Sequence, residues 1–307
     1  MSSNTISTLN NYLSDILSAY PLWALYSLVA IIGCCIGSFL NVVIYRKPLI
    51  AKAEEEEYIR ENYDIKPSEI FDVRTKRSHC PDCHAKISAR FNIPVFGWLL
   101  LRGNTHCCNR KLSLIYPFIE LITGVLFVVA LHLAGGINVL LVALLVMISG
   151  LITICVIDFK HKIIFDLHAA VYCVSTLFTL YFIGENSEFL IPALVALIAM
   201  IATIKGYELM RNKLMGTNLV MMGDGDWSLW LILFAACASF SEVTATSMLE
   251  VISLAMAGTL ALGALTIGVK AVIIKINKGK TIYSQEFPAA PAITTTTLCL
   301  IFLMLAN

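Results

Sequence analysis

Residues 137–160 read INVLLVALLVMISGLITICVIDFK, an apolar run that ends where Asp158 follows Ile157. Such a run has about the 20 residues that a helix needs to cross the hydrocarbon core of a bilayer. A second carboxylate, Asp226 in GDGD (residues 223–226), stands immediately before another apolar run. Ionisable groups beside hydrocarbon are costly and usually serve a function, so Asp158 and Asp226 are the first candidates for a functional site.

The whole chain has the composition of a membrane protein. Hydrophobic residues make up 58% of its 307 residues, charged residues make up 14%, and the mean hydropathy is +0.79, which exceeds what a soluble core requires. We therefore predict an all-α polytopic membrane protein with about eight transmembrane helices. The predicted spans are Leu22–Tyr45, Ile115–Leu133, Ile137–Ile157, Leu167–Ile183, Phe189–Ile204, Trp227–Phe240, Val251–Ile274 and Pro288–Leu305.

The cations are distributed very unevenly between these runs. The Lys and Arg residues fall in alternate connecting segments, thirteen of the 22 between Arg46 and Lys111, and Lys270 lies inside the seventh span close to the segment that follows it. Because basic residues accumulate on the cytoplasmic side of membrane proteins, those segments are predicted to be cytoplasmic. Both termini are then predicted to be periplasmic.

This topology divides the chain into three parts. Residues 1–45 form a periplasmic tail and the first transmembrane helix, residues 46–113 a small cytoplasmic domain, and residues 114–307 a seven-helix membrane domain with the two aspartates. The acidic run Glu54–Glu57 within the cytoplasmic part is typical of a solvated helix face.

Asp158 and Asp226 are predicted to lie on the cytoplasmic side at similar depth, where they could face each other. Two carboxylates within a few ångströms of each other share one proton, because both cannot ionise cheaply. The ionised member can deprotonate water while the protonated member donates to a peptide carbonyl, which is the chemistry of amide hydrolysis without a metal. Gly223 and Gly225 would let an extended backbone approach the acid closely.

Structural roles for these acids remain open at this point. Asp158 could be the partner of the nearby Lys160 or Lys162, and Asp224 competes with Asp226. Asp166 has the position of a helix N-cap before an apolar run.

Five motifs, in order along the chain and including those of the two aspartates, are similar to those of the type IV prepilin peptidase family of Gly-x-Gly-Asp intramembrane aspartyl proteases. They are GSFLNVVIYR (37–46), NIPV (92–95) with WLLLRG (98–103), YPFIE (116–120), IDF (157–159) and GDGD (223–226). The resemblance implies that Asp158 and Asp226 are the catalytic pair. It implies removal of the basic leader from type IV prepilins or pilin-like secretion proteins at the cytoplasmic face of the bacterial inner membrane. It also implies N-methylation of the new terminus with S-adenosylmethionine, and we expect no nucleic-acid partner.

Three polar or small residues near the first two spans have plainer interpretations. Gly33-x-x-x-Gly37 is a small-residue ridge that lets another helix approach, and Asn41 could form a hydrogen bond between helices. Glu120 is either the partner of a cation such as Arg46 or Arg110, or part of a methyl-transfer pocket.

The cysteines of the cytoplasmic part suggest a metal site. Cys80-Pro81-Asp82-Cys83 has the spacing of half a four-thiolate zinc site, and a reducing compartment favours metal binding over a disulfide. The resemblance implies a second pair of the same spacing, but Thr105 stands at its first position and Cys108 at its second. The predicted zinc ligands are Cys80, Cys83, Cys108 and Cys107, with His79, His84 and His106 as further candidates. The alternative is a free-thiol loop ordered by packing.

The resemblance also has a departure beside the second acid. The family commonly has a lysine two residues after this aspartate, whereas this chain has Ser228. Two rival functions use other features: a proton-coupled transporter would use the same aspartates, and a thiol oxidoreductase would use Cys80 and Cys83. The edge position of the acids and the absence of repeats weigh against the first, and the cytoplasmic side of the thiols weighs against the second.

Overall fold

The computed structural model describes residues 21–63, 83, 85, 87–184, 188–215, 226–276 and 289–306. Within these ranges the chain is helical, and its only extended pairing is an isolated antiparallel bridge between Asn104 and Lys111. The helices are α1 (Leu22–Tyr63), α2 (Phe96–Leu100), α3 (Ile115–Leu133), α4 (Val139–His161), α5 (Asp166–Gly184), α6 (Leu190–Met215), α7 (Asp226–Thr244), α8 (Met248–Ile276) and α9 (Ala290–Ala306). The prediction of an all-α protein is confirmed.

The predicted spans correspond to helices of the structure. Seven described helices are long and apolar enough to cross a membrane, and α9 is a shorter apolar helix of 17 residues. Seventeen residues is about the lower limit for a span. The fifth and sixth spans, which the sequence predicted to be short, are parts of the longer helices α6 and α7.

The first helix continues well beyond its predicted span. It runs from Leu22 to Tyr63 with Pro48 inside it, whereas the apolar pattern ends near Tyr45. The added stretch is rich in Ala, Glu and Lys, which are strong helix formers. The acidic run therefore lies on a helix, as predicted, and the Glu54 side chain is exposed.

The chain forms two compact units, and the first contains the described residues up to Leu131. In it α1 packs closely on α3 through the predicted small-residue ridge. A Cβ atom on Gly33 would lie 2.7 Å from Gly124 Cα, and one on Gly37 would lie 2.7 Å from Glu120 Cα. Asn41, 7% exposed, donates from Nδ2 to the Tyr116 carbonyl at 3.0 Å. The packing roles predicted for these residues are confirmed.

The second unit contains the described residues from His132 onward. Within this unit, helix α7 packs against α5, α6, α8 and α9. Helices α5 and α9 also pack against α4, so both connect α4 with α7. Buried threonines satisfy their hydroxyl groups within their own helices, as Thr176 does by donating to the Tyr172 carbonyl, a pattern suited to a medium without water.

Candidate active site and thiol cluster

Asp158 lies in the last turn of α4. The helix ends because Lys162 adopts a left-handed conformation with φ of 60°, and its N–H donates to the Asp158 carbonyl at 3.0 Å. The Lys162 ammonium group also donates to the carbonyls of Asp158 (2.8 Å) and Phe159 (3.3 Å). Lys162 thus caps the negative end of the helix dipole.

The carboxylate of Asp158 points into the second unit. The residue is only 6% exposed, and its Oδ2 accepts a hydrogen bond of 3.1 Å from the N–H of Ala290, the first residue of α9. One turn further inside, Cys155 Sγ and Thr294 Oγ1 are 3.1 Å apart. These two contacts make α4 and α9 antiparallel neighbours, with the end of one beside the beginning of the other.

Asp226 is the first residue of α7 and is partly buried. A carboxylate at this position favours helix formation because it complements the positive end of the helix dipole. Two residues later, the Ser228 carbonyl lies 3.7 Å from Cys173 Sγ on α5. Cys173 is about two turns from the beginning of α5, so α7 begins in the half of the bundle in which α4 ends.

A charged pair lies beside the beginning of α7. Lys205 Nζ is 2.9 Å from Glu208 Oε2 and 5.9 Å from the centre of the Trp227 ring. Glu208 is 6% exposed. Glu208 was not among the predicted site residues because the predicted fifth span ended at Ile204. Its position four residues beyond an apolar run could have indicated it.

The glycine-rich stretch before α7 lies outside the described residues. This applies to Gly223 and Gly225, the predicted backbone of the active site, and to the competing acid Asp224. The structure therefore bears on the predicted catalytic roles of Asp158 and Asp226 only through the positions of these two aspartates, and not through the glycines before Asp226.

Glu120 has a partner that neither sequence interpretation included. It is 8% exposed, and its Oε2 accepts a hydrogen bond of 2.7 Å from the N–H of Val95. Val95 has a φ of 62°, which is a genuine outlier for a β-branched residue. The Glu120 carboxylate thus holds a strained loop of the NIPV stretch against α3, and among the described contacts its partner is a backbone donor rather than Arg46 or Arg110.

We expect Glu120→Ala to destabilise the first unit by about 1–3 kcal/mol, because the Val95 N–H would lose its partner. Glu120→Gln should cost less, since its amide oxygen can still accept the bond. Thermal unfolding and limited proteolysis of the purified protein would measure both effects. Val95→Gly should be tolerated because it retains the N–H and fits the positive φ. If Glu120→Ala were as stable as the wild type, the hydrogen bond between Glu120 and Val95 would not stabilise the unit.

Three of the predicted metal ligands meet in the first unit. The thiols of Cys83, Cys107 and Cys108 all lie within 4.8 Å of one another and are exposed. The Cys83 and Cys107 sulfur atoms are 3.2 Å apart, and those of Cys107 and Cys108 are 4.0 Å apart. Sulfur atoms on one tetrahedral zinc lie about 3.8 Å apart, given Zn–S bonds of about 2.3 Å. The cluster could therefore bind a metal ion.

The remaining candidates around this cluster have separate positions. Thr105 Oγ1 lies 3.1 Å from Cys108 Sγ and accepts a bond of 2.9 Å from the Arg110 N–H, so it supports the loop from which Cys108 projects. The His106 ring stacks on Phe91, with ring centres 4.9 Å apart. Cys80, His79 and His84 lie outside the described residues.

Comparison with known proteins gives consistent results. Residues 31–133 match the family described as "Bacterial Peptidase A24 N-terminal domain". A prepilin leader peptidase/N-methyltransferase of Pectobacterium carotovorum subsp. carotovorum is 34% identical over 157 residues, covering 50% of this chain and 55% of the relative. No solved structure matches.

Two other relatives have similar names. The type 4 prepilin-like proteins leader peptide-processing enzyme of Escherichia coli O78:H11 is 35% identical over 150 residues, covering 49% of this chain and 54% of the relative. A prepilin leader peptidase/N-methyltransferase of Neisseria gonorrhoeae is 42% identical over 104 residues, covering 33% of this chain and 36% of the relative. The chain thus spans about half the length of the first two of these relatives and about a third of the third.

The fold and the site together define a class of protein. The chain is a polytopic all-α membrane protein, and among its described residues one buried carboxylate, Asp158, and one partly buried carboxylate, Asp226, lie at the ends of apolar helices. Its matches are to a peptidase A24 N-terminal domain and to proteins named as prepilin leader peptidases.

Proposed function

We propose that this protein is a membrane aspartyl endopeptidase that removes the basic leader from type IV prepilins or pilin-like secretion proteins, and that Asp158 and Asp226 are its catalytic pair. The observation that carries the proposal is the buried Asp158 carboxylate, held between α4 and α9 in the same unit in which Asp226 begins α7. The names of the relatives support the peptidase activity. They give no support to the transporter alternative.

The chemistry requires one carboxylate and one carboxylic acid. The carboxylate takes a proton from a water molecule as that water attacks the carbonyl carbon of the scissile peptide, and the acid donates its proton to the carbonyl oxygen. In the second step the peptide C–N bond breaks. The departing amine takes the proton acquired from water, and one hydroxyl of the intermediate returns a proton to the other aspartate. Each aspartate ends in its initial state, and one water molecule is consumed.

Burial favours this chemistry at Asp158. Electrostatic interactions are stronger where water is excluded, and a side chain held by a fixed donor does not have to reorganise during the reaction. Gly223 and Gly225 would provide the close backbone approach beside Asp226. The proposed location is the cytoplasmic face of the bacterial inner membrane, with both termini periplasmic, which follows from the distribution of Lys and Arg.

A second activity and a structural metal complete the proposal. S-adenosylmethionine would supply the methyl group for the new N-terminal residue, as the names of the relatives suggest. Among the described residues, the candidate Glu120 is already engaged by Val95, and no residue is assigned to this cofactor. Cys83, Cys107 and Cys108 would bind zinc with Cys80 as the fourth ligand, and this metal would fold a segment that is too small to bury an adequate core.

Mass spectrometry of the N-terminus of a mature pilin, from cells with and without this protein, tests both activities. We expect a shortened, methylated N-terminus only in cells that contain the protein. A shortened but unmethylated N-terminus would support the peptidase activity and contradict the methyltransferase activity. An intact leader in both strains would contradict the proposal.

A further inference from the structure

The first turn of α9 has a single backbone donor that points outside the helix. An α-helix begins with N–H groups that have no partner within the helix. Here Pro291 has no N–H, and the N–H groups of Ala292 and Ile293 donate to the Ala289 carbonyl at 3.1 and 3.2 Å. The N–H of Ala290 donates instead to Asp158 Oδ2 at 3.1 Å.

Burial and a second hydrogen bond hold Ala290 in place. It is completely buried, and its carbonyl accepts a hydrogen bond of 2.7 Å from Thr294 Oγ1. Thr294 in turn contacts Cys155 on α4, one turn from Asp158. A backbone donor held in this way cannot rotate away as a side chain can, so it fixes the plane of the Asp158 carboxylate.

We propose that Ala290 is a positioning residue of the peptidase: its N–H, at the positive end of the α9 dipole, holds the Asp158 carboxyl group in the orientation in which it exchanges a proton during the reaction. This assignment rests on the proposed function and adds to it a backbone group that positions one of the two acids. A hydrogen-bond donor and the helix N-terminus both stabilise a negatively charged oxygen, and Asp158 Oδ2 is the atom that receives both.

Ala290→Pro removes this donor with a small change of shape, because proline is tolerated in the first turn of a helix. We expect kcat for cleavage of a purified prepilin in detergent to fall about 10- to 100-fold, the usual effect of losing one hydrogen bond to a charged group. KM should stay within about twofold, since the bond contributes to the chemical step rather than to binding.

Ala292→Pro is the matched control. It places the same residue in the same buried turn and also creates a Pro-Pro pair, but the N–H it removes donates to Ala289 and not to Asp158. We expect its kcat to be close to that of the wild type. Equal values of kcat for the two variants, or a change in KM alone for Ala290→Pro, would overturn the proposal.

Two additions keep the test decisive. If Ala290→Pro does not accumulate in membranes, Ala290 can be replaced with lactic acid, which converts the N–H to an ester oxygen and retains the methyl group. The same loss of kcat is expected, and a wild-type kcat would refute the positioning role.

Asp158→Asn is measured in parallel. Undiminished cleavage by that variant would refute the proposed function, whereas a loss in Asp158→Asn without a loss in the Ala290 variant refutes only the positioning role.

Discussion

Replacing Asp158 by Asn is expected to lower the rate of leader removal by roughly 10²–10⁴-fold, the contribution of one positioned acid or base. Asn has the same shape and can still accept the hydrogen bond from Ala290, but it cannot take a proton from water. Asp226→Asn should have an effect of the same size, because each acid depends on the other. The measurement is the fraction of a co-expressed prepilin that is processed, together with initial rates on purified enzyme.

The double variant and a matched acid complete this test. Asp158→Asn combined with Asp226→Asn should be little slower than either single variant, because residues that act as a unit are not additive. Asp166→Asn should process prepilin normally, since Asp166 is an exposed residue at the beginning of α5. All variants should insert into the membrane in equal amounts, and wild-type processing by either single variant would contradict the assigned pair.

The membrane helices could be predicted from the sequence because hydrocarbon imposes a simple rule. Every spanning segment must be apolar and about 20 residues long, and the run before Asp158 obeys this rule. The run after Asp226 is shorter, and the 19-residue helix α7 extends beyond it. The close approach of α1 and α3 could also be predicted, because Gly33 and Gly37 lack the side chains that would separate two helices. The end of α1 at Tyr63 could not be predicted from the apolar pattern, because helix propensity extends the helix into a polar stretch.

The contacts of Asp158 and Glu120 could not be predicted for a different reason. Asp158 and Glu120 both bind backbone N–H groups, of Ala290 and Val95, and every residue except proline has such a group. A donor of this kind leaves no mark in the sequence. The sequence does show that the cation Lys162 is near Asp158, but it does not indicate that the Lys162 ammonium group binds the carbonyl groups of Asp158 and Phe159.

The thiol cluster was predicted in part. The Cys80–Cys83 spacing indicated a metal site, and the structure brings Cys83 and Cys108 together as expected. Cys107 was harder to judge because adjacent cysteines usually project in different directions. Its sulfur lies 3.2 Å from that of Cys83, so in this loop both of the adjacent cysteines have their sulfur atoms near that of Cys83.

Cys83→Ser is expected to abolish zinc binding and to unfold locally the segment that carries the thiol cluster. Structural zinc sites contribute about 10–16 kcal/mol in isolated zinc-finger peptides, and a serine hydroxyl does not replace a thiolate ligand. Elemental analysis of the purified protein should show about one zinc per wild-type chain and much less in the variant. Limited proteolysis should show faster cleavage of the segment that carries the thiol cluster. Cys299→Ser changes an exposed cysteine of α9 and should alter neither result.

Thr105→Cys separates zinc binding from a general effect of thiols. Thr105 Oγ1 is already 3.1 Å from Cys108 Sγ, so a cysteine there would place a further sulfur beside the cluster. If the cluster binds zinc, this variant should retain the metal against a chelator longer than the wild type does. If the cysteines form only a free-thiol loop, Thr105→Cys should leave the metal content at zero and promote a disulfide under mild oxidation. Because the two interpretations predict opposite responses to one added sulfur atom, the variant distinguishes them even if every Cys→Ser change destabilises the loop.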